Sequence, residues 1–305
     1  MKKGIFIALF IIGSGTLKLL SISNYSVQCY DPNFVELSTS TYKNEEYVVI
    51  MMNKAGQRIK TKYFAAPDNG KSVYKRYADW SMRIQSMVLV SSGTYMDECY
   101  NEETAKPVGL TIDNGVPVNE TLIKNKMDAL AIVYASGGSG GGIVVANLVD
   151  GDLTLKGNGI DENRKFNLRR SADDLDDFME WAESQEATVF QTHLLVYKNV
   201  LKISATNSNT AKRERRFLAS GKDSDGQSFN IILNSPASSS LYESSKKALE
   251  FLNKFKEINV NYMINLDTGC QNVIELRNSN CTVNKAVSGT QSINSAVNLL
   301  AFYFQ

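Results

Sequence analysis

The residues best placed to do chemistry lie where an acid stands on a turn between two apolar runs. The run that ends at Leu266 brings Asp267 onto the turn Thr268-Gly269, and a second apolar run, Val273 to Leu276, leaves it. An acid at the rim of a sheet is held by backbone on both sides, so a rigid scaffold can aim it at a ligand. An ordinary hairpin turn explains the same residues, because Asp and Gly are favoured turn formers. The segment alone leaves both interpretations open.

A second candidate is the basic run Lys212-Arg213-Glu214-Arg215-Arg216. A solvated charge cluster before a strand is one interpretation. The other is that Arg215 or Arg216 turns inward to grip an anionic group, since a planar guanidinium suits bidentate contact with phosphate.

Two further segments resemble ligand-binding motifs, a phosphate-binding loop and a calcium site, but neither has the residues that such a motif requires. The glycine-rich loop from Ala135 to Gly142 lacks the Lys-Ser/Thr of a P-loop, and it leads into a β-branched strand sequence rather than a helix. A flexible hairpin loop is therefore preferred. The acids from Asp173 to Asp177 lack the spacing and the loop glycine of an EF-hand, so a solvated helix face explains them. No ligand spacing indicates a divalent cation, and we predict no metal site and no cofactor.

The composition restricts the classes of function. A chain of 305 residues with 43% apolar and 21% charged residues is globular and large enough for a sizeable core. Thirty-three basic and 32 acidic side chains leave a formal charge of +1, which gives no general attraction for nucleic acid or anionic membrane. The single histidine, His193, makes His-based zinc sites and Ser-His-Asp triads poor candidates.

The N-terminus has the pattern of an export signal. Met1-Lys2-Lys3 is positive, Gly4 to Gly15 is apolar, and small residues at Ser21-Ile22-Ser23 offer a cleavage point. Leucines that follow the apolar run extend it, so the segment could also remain uncleaved and anchor the protein in the membrane. No other contact with a membrane is expected. We predict an exported protein that is periplasmic, cell-surface or secreted.

Export makes the four cysteines candidates for disulfides. Cys270 and Cys281 flank a predicted hairpin and are the favoured pair, with Cys29 and Cys99 remaining. Buried free cysteines explain the same count equally well.

Strand patterns outnumber helical ones. The predicted strands cover residues 46–53, 85–91, 108–112, 116–118, 129–134, 143–149, 190–197, 200–203, 228–233, 259–266, 273–276 and 297–304. Hairpin turns are predicted at Asp113-Asn114-Gly115 and at Asp225-Gly226. Two helices are predicted, Ala172 to Gln185 capped by Ser171, and Leu241 to Glu257 with Glu243 near its start. Because the elements do not alternate regularly, we predict an α+β fold with a mixed, strand-rich sheet and a few packed helices.

The order of these segments resembles the phosphodiester glycosidase family. Ser91 to Tyr95, with Pro107 to Leu110, is similar to the family's "Asn-Ala-Gly-aromatic-aromatic … Pro-Val-Gly-Leu" opening, and Gln191 to Val196 is similar to its "Gln-x-x-Pro-x-Leu-Val" strand. Arg216 to Gly226 resembles its "Arg … Ala-x-Gly-x-Asp-x-Asp-Gly" segment, and Leu266 to Gly269 resembles its "Leu-Asp-Gly-Gly-Gly-Ser" signature. The helix with an early glutamate, Leu241 to Phe255, matches the family's helix in the same order. The collinear resemblance covers roughly residues 85–304.

Several positions depart from the family pattern. Ser91 stands where the family has asparagine, Thr268 and Cys270 replace glycines, and Gln271-Asn272 follow where small residues are usual. Glycine allows positive φ and close approach to a ligand, which threonine and cysteine do not allow freely.

The resemblance implies cleavage of the C1–O bond between a sugar and a phosphodiester, carried by a domain at residues 85–305. Residues 1–23 would then be a signal peptide, and 24–84 an N-terminal extension. Asp267 is the implied catalytic or sugar-orienting carboxylate, Glu243 the second carboxylate, and Arg216 the phosphate clamp with Arg215 as alternate. The remaining residues implied in substrate binding are Ser91, Gly93, His193, Thr268 and Gly269.

Three functions remain in competition. An exported hydrolase acting on a carbohydrate or phosphoglycan predicts that Asp267, Arg216 and Glu243 converge in one pocket. A non-catalytic glycan-binding surface protein on the same scaffold predicts a pocket lined by Tyr95 and Tyr100, with Arg216 pointing outward. A structural surface protein predicts a Cys270–Cys281 disulfide that seals the turn.

Overall fold

A computed structural model describes residues 33–54, 59–65, 67, 70–82, 87–98, 105–134, 142–156, 160–206, 210–269, 272–277, 283–284 and 293–304. Within these ranges the strands are β1 (Val35–Tyr42), β2 (Glu45–Asn53), β3 (Ile59–Phe64), β4 (Met87–Ser91), β5 (Thr111–Asp113), β6 (Val116–Asn119), β7 (Ala129–Val133), β8 (Ile143–Asn147), β9 (Thr188–Thr192), β10 (Leu194–Tyr197), β11 (Val200–Leu201), β12 (Arg215–Lys222), β13 (Ser228–Ser235), β14 (Asn259–Leu266), β15 (Ile274–Arg277), β16 (Val283–Asn284) and β17 (Leu299–Phe304). The helices there are α1 (Val73–Ser81), α2 (Ala172–Ser184) and α3 (Leu241–Lys254), with a 3₁₀ turn at Ile293–Ser295.

The strands form three sheets in which every recorded pairing is antiparallel. The first sheet has seven strands in the order β1-β2-β13-β12-β14-β10-β11. The second sheet has the order β16-β15-β4-β17-β3, and the third has the order β6-β5-β9-β7-β8. Strands from residues 24–84 pair with later strands, because β2 lies beside β13 and β3 lies beside β17.

The inner faces of the three sheets meet in one apolar core. It contains Ile50 and Leu218 from the first sheet, Leu89 from the second, and Ala131 and Phe190 from the third. Burial of apolar side chains from all three sheets in one place is the main force that holds the sheets together.

Each sheet carries one helix on its outer face. α3 packs on the first sheet, α1 on the second and α2 on the third. The N-terminus of α2 is capped by Ser171 as predicted, and α3 begins with a capping box between Ser240 and Glu243. The predicted helix over 172–185 is thereby confirmed, and that over 241–257 is confirmed as far as Lys254.

The prediction of an α+β fold is wrong, because the described chain is mostly β. Antiparallel strands joined by tight turns need no helical crossover, so one helix on each sheet is sufficient to cover the outer faces. Two of those turns were predicted from the sequence. Asn114 and Gly115 adopt φ of 54° and 80° between β5 and β6, and Gly226 adopts 79° between β12 and β13.

The predicted strand over residues 190–197 is divided in two. β9 belongs to the third sheet and β10 to the first, and His193 lies at the corner between them. The strand turns from one sheet to the other at that residue, which places His193 at the junction of two sheets. In the described ranges, no helix is long and apolar enough to cross a membrane.

Candidate active site

Asp267 lies immediately after β14, where the three sheets approach one another. It is 4% exposed, and its side-chain Oδ1 accepts a hydrogen bond from the Gly269 backbone N–H at 2.7 Å. Burial raises the pKa of Asp267 above its ordinary value, against the opposing effects of backbone N–H donors and the charge of Arg216. Among the described residues, no direct ion pair neutralises the carboxylate. It is therefore a buried acid held at a sheet rim.

The backbone around Asp267 is fixed by the loop that follows β4. The Asp267 N–H donates to the Gly93 carbonyl at 2.8 Å, and the Ser92 hydroxyl donates to the Asp267 carbonyl at 2.6 Å. The Gly93 N–H in turn donates to Asn298 Oδ1 at 2.9 Å. A Cβ on Gly93 would lie 2.5 Å from a ring carbon of Tyr63, so only glycine fits there. Gly93 is thus placed beside Asp267, as a backbone support.

The departure from glycine at Thr268 is accommodated by the structure. Thr268 does not have positive φ, so its backbone conformation does not require glycine. Its hydroxyl donates to the Glu214 carbonyl at 2.7 Å, which ties the turn to the start of β12. Gly269 is exposed beside it, and a Cβ there would lie 3.1 Å from the Asp267 carboxylate.

Arg216 is wholly buried and engaged by protein groups. Its Nε donates to Asn234 Oδ1 at 3.0 Å, and its Nη2 donates to Asn272 Oδ1 at 2.7 Å. Its Nη1 donates to the Val273 carbonyl at 2.8 Å and to the hydroxyls of Ser92 and Ser91 at 3.1 and 3.4 Å. Burial lowers the pKa of Arg216 to about 10, so the side chain remains a cation at neutral pH. The guanidinium joins the first sheet to the second, next to Asp267.

Arg215, the alternate predicted clamp, is 5% exposed and lies near Tyr95 and His193. Its Nη2 donates to the Ala211 carbonyl at 2.9 Å, whereas its Nε is buried without a hydrogen-bond partner in the described part of the chain. Burial raises the pKa of Tyr95 and lowers the pKa of His193, and the positive charge of Arg215 has a smaller lowering effect on each. Arg215 is therefore a cation with an unused donor at this site.

Tyr95 and His193 form an aromatic pair beside Asp267. Their rings meet edge to face with centroids 5.3 Å apart, and the charge of Asp267 acts on Tyr95. Burial lowers the pKa of His193 to about 4, so the imidazole is neutral at neutral pH. The His193 Nδ1 is buried and has no partner within the described ranges. A neutral ring with a free nitrogen can donate or accept one hydrogen bond from a ligand.

Glu214 is the second carboxylate near Asp267, and sequence analysis missed it. Its charge and that of Asp267 both act on Arg216, and its Oε2 accepts from Asn272 Nδ2 at 3.4 Å. Its Oε1 is buried with no partner in the part of the chain that the structure describes. Burial raises the pKa of Glu214 against the effects of Arg216 and Asn272. Glu214 lies within the charged run Lys212 to Arg216, and the sequence of that run does not show which of its side chains points into the protein.

Glu243, the predicted second carboxylate, lies elsewhere. Its Oε2 accepts hydrogen bonds from the N–H and the hydroxyl of Ser240, completing the capping box of α3. α3 covers the outer face of the first sheet, whereas Arg216 contacts the second sheet across the inner face. The structure therefore brings together Asp267, Arg216, Arg215, Ser91, Gly93, His193, Thr268 and Gly269, but not Glu243.

We expect the two glutamates to respond differently to substitution. Glu243→Ala should lower the melting temperature slightly through loss of the cap, and leave turnover of any substrate unchanged. Glu214→Gln should lower turnover and leave the melting temperature unchanged or higher, because it removes a buried carboxyl whose pKa is raised. Thermal unfolding and initial rates of both variants provide the test. Loss of activity in Glu243→Ala alone would contradict this assignment.

Other predicted features fall outside the described residues. These include the four cysteines, Tyr100, Gln271 and the export signal. In the described ranges, no three His, Cys, Asp or Glu side chains are grouped so that they could hold a metal ion.

Comparison with known proteins gives similarity of structure without similarity of sequence. No protein-family model and no curated protein matches the chain. One similar solved structure is the zebrafish N-acetylglucosamine-1-phosphodiester alpha-N-acetylglucosaminidase catalytic domain auto-inhibited by pro-peptide, at 12% identity over 89% of this chain and 82% of that chain, with a TM-score of 0.47. Another is a hypothetical protein from Synechocystis, at 11% identity over 89% of this chain and 62% of that chain, with a TM-score of 0.44.

Proposed function

We propose that this protein is an exported hydrolase that cleaves the C1–O bond of a sugar-1-phosphodiester within a glycan. The observation that carries the proposal is the state of Asp267, a buried carboxyl with a raised pKa, held rigidly at a sheet rim. A structural turn gains nothing from an acid whose ionised form is disfavoured by burial, whereas acid–base chemistry uses such a group. The collinear resemblance to phosphodiester glycosidases supports the same reaction.

In the proposed reaction, water attacks C1 of the sugar. The C1–O bond breaks, its electron pair leaves on the bridging oxygen of the phosphate monoester, and a proton from water passes to a carboxylate. Asp267 takes this proton or stabilises the positive charge that develops at C1. Glu214 is the second carboxyl available for these roles. A phosphate is already a good leaving group, so strong protonation of the bridging oxygen is unnecessary.

The departing phosphate needs a cation or an amide donor. We assign this role to Arg215, because its Nε retains an unused donor while each nitrogen of Arg216 donates to a protein acceptor. Arg216 then has a different role, since it holds Asp267 and Glu214 in place through its charge. Tyr95 and His193 form the side of the site against which the sugar packs.

One observation favours the alternative of a non-catalytic phosphoglycan-binding surface protein. Arg216 does not point outward, as that alternative predicted, but it donates only to internal acceptors, so the site has one fewer cation to stabilise a transition state. In both proposals residues 1–23 direct export, and carbohydrate or phosphoglycan is the partner. Both also treat residues 24–84 as an extension of the domain at 85–305.

A panel of three matched compounds tests the proposal. It comprises a sugar-1-phosphodiester, the same sugar as a neutral glycoside, and the same aglycone phosphodiester without a sugar. Release of free sugar from the first compound alone is the expected result. Binding of the first compound without release, by correctly folded protein, would support the alternative instead.

A further inference from the structure

A cleft of about 500 Å³ opens beside the candidate active site and is strongly basic. Four cationic side chains line it, with one carboxylate and one imidazole: Lys124, Lys126, Lys202, Arg169, Asp128 and His193. Because His193 is neutral at neutral pH, the cleft carries four positive charges and one negative charge. The whole chain has a formal charge of only +1, so positive charge is concentrated here.

The single carboxylate of the cleft, that of Asp128, already forms an ion pair with Arg169. Arg169 Nη2 donates to Asp128 Oδ1 at 2.5 Å and to the Met127 carbonyl at 3.2 Å. No ion pair is recorded for Lys124, Lys126 or Lys202 within the described ranges. Three ammonium groups therefore face the cleft without an internal counterion.

The loop that carries two of these lysines is held rigidly. The Gln191 side chain accepts from the Ile123 N–H at 2.9 Å and donates to the carbonyls of Ile123 and Met127 at 2.6 and 2.7 Å. Lys126 adopts a φ of 71°, a left-handed conformation that is unfavourable for lysine. Lys198, which lines a different cleft, also has positive φ, so this conformation does not distinguish the basic cleft, and the rigidity of its loop rests on the Gln191 hydrogen bonds.

The cleft and the candidate active site share His193. The imidazole lines the cleft and contacts the Tyr95 ring. The His193 carbonyl accepts from the Asn265 N–H at 3.2 Å, and Asp267 follows two residues later, about 6.6 Å further along an extended chain. One elongated ligand could therefore occupy both places.

We propose that this cleft binds a second phosphate of the substrate, one repeat away from the bond cleaved at Asp267. The inference rests on the proposed function and deepens it, because it makes the substrate an oligomer or polymer of sugar phosphodiesters. Phosphate oxygens suit three unpaired ammonium groups through charge-assisted hydrogen bonds. A single-stranded nucleic acid fits less well, because the described residues that line the cleft include no Phe, Tyr or Trp on which a base could stack.

The test uses the variant Lys124→Gln/Lys202→Gln with two substrates, a sugar-1-phosphodiester with one phosphate and its dimer with two. The matched control is Lys198→Gln/Lys222→Gln, which removes the same charge from a second cleft of about 470 Å³. In the first variant we expect KM for the dimer to rise about tenfold or more, with kcat unchanged. KM for the single-phosphate substrate should be unaffected, and the control should behave as wild type. Added salt should reduce the difference.

A binding measurement separates failure of this inference from failure of the proposed function. Fluorescence anisotropy of a labelled dimer on Asp267→Asn protein should show the same dependence on Lys124 and Lys202, whether or not the wild type is an enzyme. An equal effect on both substrates, or none, would overturn the second subsite. Equally tight binding of inorganic phosphate, or tighter binding of oligodeoxythymidine, would also overturn it by pointing to a free-anion or nucleic-acid site.

Discussion

Asp267→Asn should abolish most of the hydrolytic activity while leaving the fold at least as stable as before. Loss of a positioned acid–base group lowers turnover by roughly 10²- to 10⁴-fold. Asparagine keeps the Oδ1 that accepts from the Gly269 N–H, so the turn retains its hydrogen bond. Initial rates and urea unfolding of the two proteins measure both quantities.

The stabilities of wild type and Asp267→Asn should also depend differently on pH. The pKa of Asp267 is higher in the folded protein than its ordinary value of 3.8, so the protonated form is favoured by folding. That contribution is present below the unfolded pKa and is lost as pH rises through the folded pKa. Asparagine carries no such loss, so the variant should gain stability relative to wild type as pH increases over this range, by about 1.4 kcal/mol for each unit of pKa difference.

A matched control is Asp223→Asn. Asp223 also caps a tight turn, accepting from the N–H groups of Asp225 and Gln227, but that turn is exposed. Activity should be unchanged in this variant. If Asp267→Asn instead unfolded readily and kept its turnover, Asp267 would be a structural residue of the turn and the proposed chemistry would be wrong.

Arg216→Ala should produce the largest loss of stability of any single substitution considered. It removes a buried cation and leaves Asn234, Asn272, Val273 and the Ser92 hydroxyl without their donor. Breaking a buried charge network in this way costs about 3–5 kcal/mol. Urea denaturation should show this loss directly, and Arg216→Lys should recover only part of it, because an ammonium cannot reproduce the planar fork.

Arg213→Ala provides the control from the same basic run. Arg213 is exposed, so its removal should change the free energy of unfolding by no more than about 0.5 kcal/mol. A stable Arg216→Ala protein that had lost only phosphoglycan affinity would contradict the internal role and restore the original prediction of a phosphate clamp.

Local patterns predicted the elements that depend on local physics. The Ser171 cap, the two helices and the hairpin at Asn114-Gly115 each follow from neighbouring residues, and the structure contains all of them. The fold class was not predictable in the same way. It depends on which strands pair across the chain, and β1, β3, β12 and α1 were absent from the predicted elements.

The site was predicted in part, for a similar reason. Asp267 stands out because strand and turn signals surround it. The inward turn of Arg216 and Glu214 depends on contacts with Asn272 and Ser92, which are distant in sequence. Glu243 illustrates the opposite error, since an early helical glutamate fits a capping box as well as it fits a catalytic group. The position of His193 at a corner between sheets is likewise set by tertiary packing.

The most direct test of the central claim is hydrolysis of a sugar-1-phosphodiester in H₂¹⁸O, followed by mass spectrometry of both products. Cleavage of the C1–O bond predicts that the label appears in the hydroxyl at C1 of the released sugar and that the phosphate monoester is unlabelled. Label in the phosphate monoester would show that the P–O bond is broken instead. That result would contradict the role assigned to Asp267.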